Sequence, residues 1–253
     1  QPDVVNQPNA WEWLFEPSLS TTGNTPDETN GIDTFTIEMG DNVDDYEADH
    51  AFTISCEISG EPNEPVKFSW EVQVHDVVVA SRTGSLTEPT RKAYFPFNSS
   101  QLYIDTSYAN LGNTAKIDMM LGFTYTFETM FTARYSASGD LVFTGVNEGK
   151  KAPELEITYR RDDTNSEAEK TKYLNSTMTY IRIGLFSDGE MDSGESNPEY
   201  VYLDGAYRYT EWASYEEDDS INVVTPTAVA HLDSTSGKMM SVLVGTTMDA
   251  YPS

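Results

Sequence analysis

The stretch GFTYTFETMFTARY, Gly122–Tyr135, decides how this sequence folds. Phe123, Tyr125, Phe127, Phe131 and Tyr135 fall on one side of an extended chain, and Thr124, Thr126, Glu128, Thr132 and Arg134 on the other. Side chains two apart on a strand share a face, so this alternation predicts a half-buried antiparallel strand, and its aromatic and β-branched residues favour the same state. The period recurs in VKFSWEVQV, where Val66, Phe68, Trp70, Val72 and Val74 oppose Lys67, Ser69, Glu71 and Gln73. In HAFTISCEIS it sets Phe52, Ile54, Cys56 and Ile58 inward and Thr53, Ser55, Glu57 and Ser59 outward.

Shorter segments of the same kind follow to the end, from DTFTIEM and DVVVASR to TMTYIRIGLF, EYVYL, AYRYTEWASY and KMMSVLV. Turn residues separate them, among them SASGD, NEGK, SDGEMDSGESNP and LDGA. Only TNSEAEKTKYL reads as a helix, with Ser166 and Glu169 at capping-box spacing. The expected fold is therefore all-β: an antiparallel β-sandwich, jelly-roll-like, with an extended N-terminal arm and at most one short helix.

The arm is residues 1–33, rich in Pro and Asn, and residues 34–253 form the sandwich domain. Within the arm, Trp11, Trp13, Leu14 and Phe15 need burial, either on their own domain or as a contact with a neighbouring subunit. Cys56 and Trp70, on successive strands, resemble the first cysteine and core tryptophan of immunoglobulin-like domains over about fifty residues. That resemblance implies a small N-terminal sandwich ending near 88–100, but the second cysteine of the family is absent. One domain after the arm is the preferred reading.

The chain of 253 residues carries a formal net charge of −27, and no Lys or Arg precedes Lys67. Nucleic-acid affinity rests on cations that displace phosphate counterions, so nucleic acid is not an expected direct partner. The charge suits a saline, extracellular, cell-surface or virion setting. No run approaches about 18 apolar residues, so no membrane span is expected, and a start on Gln without a basic, apolar leader reads as a mature secreted chain. Cys56 is the sole cysteine and has no disulfide partner within the chain.

FSDGEMDSGESNPEY spaces Asp188, Glu190 and Asp192 two apart and places Glu199 at the twelfth position, a pattern that can gather oxygen ligands on calcium. The turn glycine comes one place late, at Gly194, and the flanks read as strands. Asp41, Asp44 and Asp45 make a second candidate cation cluster. Tyr207, Tyr209 and Trp212, in a tyrosine-rich run with Tyr200 and Tyr202, are a candidate glycan platform, and Asn98 and Asn175 stand in glycosylation sequons. His50, His75 and His231 have no sequence companions at metal-ligand spacing, and no nucleophile elbow, phosphate loop or zinc-protease motif occurs. The expectation is a non-catalytic structural subunit of an extracellular assembly, a capsid, spike or filament, joined to itself or to sister subunits. The alternative is a calcium-assisted carbohydrate-binding or adhesin module.

Overall fold

The computed structural model describes residues 35–40, 43–80, 94–128, 131–137, 142–148, 153–162, 164–190, 198–218 and 221–245. The arm with Trp11, Trp13, Leu14 and Phe15 lies outside them. The described strands are β1 (Phe35–Gly40), β2 (Asp45–Gly60), β3 (Lys67–Gln73), β4 (Asp76–Val79), β5 (Gln101–Asp105), β6 (Met120–Glu128), β7 (Phe131–Arg134) and β8 (Gly145–Glu148), followed by β9 (Glu154–Arg160), β10 (Thr179–Glu190), β11 (Pro198–Glu211), β12 (Glu216–Asp218), β13 (Ile221–Val224), β14 (Thr227–Ala230) and β15 (Met240–Gly245). One helix, α1 (Asn165–Leu174), stands among them. Among the described residues the fold is all-β and antiparallel with one short α-helix, as the periodicity predicts.

The main sheet runs β3–β2–β6–β9–β14–β11–β10–β5. Strand β11 is long enough to take two partners on one edge, β15 along Tyr200–Gly205 and β14 along Tyr207–Glu211. The two ends of this path meet. Val66 donates its N–H to the Phe95 carbonyl (2.8 Å), Phe97 to that of Glu64 (3.0 Å), and Asp188, at the end of β10, to that of Tyr94 (3.1 Å). A curled sheet thus surrounds one core, an arrangement compatible with a sandwich. That core draws on Cys56, Ile58 and Phe68 as well as on residues from Phe95 to Val242, so it takes side chains from both sides of 88–100.

Strand β2 organises the N-terminal part. Its first half pairs with β1 on one edge and β4 on the other, and its second half with β6 and β3. The register slips between Thr53 and Ser55, where two steps along β2 match one along β3, from Val72 to Glu71. An extra residue in one strand turns the following side chains to the other face. Thr53, paired with Val72, therefore shares the face of Cys56 and Ile58 and is buried. Phe52, expected beside Cys56, instead joins Phe131 and Phe143 in a second small core. Phe131 stands on β7, which pairs with β8 apart from the main sheet, and Tyr135, expected inward, is exposed.

Three further expectations are corrected. The LDGA segment is not a turn: Leu203–Ala206 runs through the middle of β11, paired on both sides. Asp204 is used there as the partner of Arg182 (Nε–Oδ1 2.6 Å, Nη2–Oδ2 2.7 Å), and Gly205 leaves the space into which the buried Tyr207 ring folds. Cys56 and Trp70 are direct cross-strand partners in one sheet, whereas the immunoglobulin arrangement places these positions on opposed sheets. Ser166 and Glu169 do not form a capping box. Asp162 takes that role, accepting from the N–H groups of Thr164, Asn165 and Ser166, while Ser166 and Glu169 are buried.

The largest fully buried side chains include Tyr125, Tyr159, Tyr207, Phe52 and Phe127, each contributing about 1.5–3 kcal/mol by leaving water. Close packing leaves no room at Gly205, where an added Cβ would overlap the Tyr207 ring. Gly205→Ala is expected to destabilise the fold by about 1–3 kcal/mol, read as a lower urea midpoint with unchanged slope. Burial also raises the pKa of Tyr125, Tyr159, Tyr207 and Tyr209, and pushes the Cys56 thiol from 9.0 up to about 12. Groups that hold protons more tightly when folded contribute stability that is complete below their unfolded pKa and is lost as pH rises past it. The melting temperature should stay level up to about pH 9 and fall above about pH 10, with buried tyrosinate absorbance at 295 nm appearing only as structure is lost.

Candidate functional site

The acidic candidates fall mostly on strands. Strand β10 continues to Glu190 and β11 begins at Pro198, so Asp188 and Glu190 belong to extended chain rather than to a tight loop. Asp188 is exposed and its Oδ1 accepts the Tyr94 N–H (3.1 Å), whereas Glu199 is buried and its own N–H donates to Ser187 Oγ (3.0 Å). Asp192, Asp41 and the side chain of Glu190 lie outside the described residues. DYEADH, the remainder of the second cluster, is the first half of β2, with Asp45 at its start and exposed Asp44 just before it. Among the described residues no three His, Cys, Asp or Glu side chains gather where they could share an ion.

The tyrosine platform is corrected outright. Tyr207 and Tyr209 are core residues, and Trp212 packs against that core with its ring 5.6 Å from Tyr209 and 6.0 Å from Tyr173. The Tyr209 hydroxyl donates to Glu169 Oε2 (3.0 Å) and lies 2.9 Å from the Tyr159 hydroxyl. Glu169, on the inner side of α1, also accepts from Lys172 Nζ (2.8 Å), so a buried carboxylate is matched by a cation and hydroxyl donors. These rings clamp the helix to the sheet; Tyr207 and Tyr209 are buried and offer no face to a sugar, and Trp212 is half-buried.

Several groupings had no signal in linear order. His50 and His75 come together at the junction of β3 and β4 with ring centroids 5.7 Å apart, and His50 Nδ1 lies 2.6 Å from Asp49. On the face of the sheet away from the core, Arg182 lies over the Tyr202 ring (4.5 Å), and Tyr202 stacks on Tyr200 (4.6 Å). Where the sheet ends meet, Asn63, Glu64, Pro65, Tyr94, Pro96 and Asn98 line an open groove of about 560 Å³. Asn63 and Asn98 are held amide to amide, the Asn98 Nδ2 donating to Asn63 Oδ1 (3.1 Å).

Among the described residues, several exposed apolar side chains gather on the three-stranded end formed by β1, the first half of β2, and β4. Registers set Met39 opposite Tyr46 and Tyr46 opposite Val79, so these three make one apolar row across the strands. They are 48%, 37% and 75% exposed, and Val77 and Val78 beside them are 49% and 45% exposed. Among the described residues β4 pairs with β2 alone and carries neither Lys nor Pro, the usual protections of a free edge. In a chain of charge −27, this apolar row lies beside an edge of β4 that takes no strand partner among the described residues.

No model of a known protein family matches this chain, and no curated protein matches it.

Proposed function

We propose that this protein is a non-catalytic structural subunit of an extracellular assembly, of the capsid, spike or surface-filament kind, joined to copies of itself or to sister subunits. The apolar end formed by Met39, Tyr46 and Val77–Val79 carries this reading. Exposed valines on an open edge favour association, while net charge −27 opposes it through self-repulsion. Salt screens that repulsion, with a Debye length of about 8 Å at 0.15 M and 3 Å at 1 M, so a saline milieu lets the apolar term win. No helix among the described residues is long and apolar enough to cross a membrane, and the acidic chain has little to hold nucleic acid directly.

A second reading, the calcium-assisted glycan-binding or adhesin module, draws support from the groove at Tyr94. An exposed Tyr94 ring and two prolines in one lining, with amides from Asn63 and Asn98 and the Glu64 carboxylate, offer an apolar wall and hydroxyl partners of the kind sugars use. The acidic end of β10 lies beside it through the Tyr94–Asp188 hydrogen bonds.

Light scattering of the purified chain at increasing sodium chloride tests the first reading. Mass should rise from monomer toward multiples between about 0.1 and 1 M salt, and a monomer throughout would overturn it. Calorimetric titration with neutral oligosaccharides, with and without calcium, tests the second. Binding should vanish in Tyr94→Ala and persist in Tyr202→Ala; absence of heat with every sugar would retire the glycan reading.

A further inference from the structure

We infer that two copies of this chain join through their β4 strands, antiparallel about a two-fold axis at Val78, to merge their three-stranded ends into one six-stranded sheet. The inference rests on the assembly reading and names its contact. Ala80 donates its N–H to the Asp45 carbonyl (3.0 Å). In an antiparallel ladder alternate residues turn their backbone groups to the same side, so Val78 and Asp76 also face β2, and Val77 and Val79 turn theirs outward. Hydrogen-bonded pairs across a new edge must therefore fall on Val77 and Val79.

Three self-registers satisfy that parity near the centre of the strand. Pairing Val77 with its own copy sets Val78 against Asp76 and Val79 against His75, and pairing Val79 with its own copy sets Val78 against Ala80. Pairing Val77 with Val79 brings Val78 onto Val78, so all three valines meet valines and Asp76 falls opposite Ala80. Only this register leaves no carboxylate against an apolar side chain of the triplet and no wasted valine. The Val77 N–H, now held by Asp76 Oδ1 (2.8 Å), exchanges that acceptor for the Val79 carbonyl of the other copy.

Both faces of the merged sheet then make sense. On one, the row Met39, Tyr46, Val79 continues into Val77, Ala48 and Ile37 of the second copy, apolar across all six strands. On the other, Glu38 and Glu47 of each copy are kept apart by the two central Val78 side chains. Three strand spacings of about 4.8 Å separate the Glu47 residues, more than a Debye length in physiological salt. Self-complementarity under a two-fold axis favours a second copy over an unrelated strand.

The test is cysteine cross-linking of the full chain in about 1 M salt, where screening is strongest. A non-hydrogen-bonded antiparallel pair has Cα atoms about 4.5 Å apart, within disulfide reach, so Val78→Cys should give a covalent dimer on mild oxidation. Val77→Cys, which faces Val79, should not, and Cys56 is buried and adds no background. Val78→Lys, at an exposed position, should weaken association about tenfold or more with an unchanged melting temperature, because it sets like charges directly opposite. If wild type assembles but Val78→Cys stays uncrosslinked, or Val77→Cys links equally well, this pairing is overturned and the assembly reading stands. If wild type and Val78→Cys are both monomeric at every salt concentration, both fall.

Discussion

The architecture depends on one strand, β2, and on the change of face it makes at Ile54. A strand buried on a single face would place Phe52 in the same core as Cys56 and Ile58. The added residue lets Cys56 and Ile58 supply the main core on one side while Phe52 supplies a smaller one, with Phe131 and Phe143, on the other. The same strand is edged by β1 and β4 at one end and by β6 and β3 at the other, so it ties the open three-stranded end to the closed body of the sheet. Without that slip, the apolar row of Met39, Tyr46 and Val79 would not sit where it does.

Charge and burial are kept apart with few exceptions. Among the described residues most acidic side chains are exposed or half-buried, and four of those drawn inward have hydrogen-bond partners: Asp204 with Arg182, Glu169 with Lys172 and Tyr209, Asp105 with the N–H groups of Gly112 and Asn113, and Asp233 with Tyr180 and the Ser236 N–H. Buried tyrosines do work usually given to aliphatic residues. Their rings fill the core, and their hydroxyls satisfy one another, Glu169, or the Met240 sulfur that Tyr125 approaches at 3.1 Å. The outcome is a stable interior beneath a self-repelling surface, and its apolar break at β4 gains importance as salt rises.

Much of the fold was legible in linear order. Strands such as β3, β5, β6 and β9 follow the alternation almost residue for residue, because backbone geometry alone alternates side chains between faces. Legibility failed where tertiary needs overrode local signals. Asp204 and Gly205 look like a turn but are held in β11 by a guanidinium and a neighbouring ring. DYEADH looks like a solvated cluster but is strand, since β1 and β4 flank it. Tyr207 and Tyr209 look like a platform but face inward, and a register slip near Thr210 carries Trp212 to the same side. DVVVASR was legible as a strand; that its described part, β4, takes β2 as its one partner among the described residues was not.

The sequence by itself determined the class of fold, the acidic surface and the scarcity of helix, because period, composition and turn residues act over a few neighbours. Which strand became an edge, which tyrosines became core, and which histidines met were decided by tertiary structure alone. Those outcomes depend on pairings between residues far apart in the chain, and a single slip of one residue, as at Ile54, reverses which face each side chain joins.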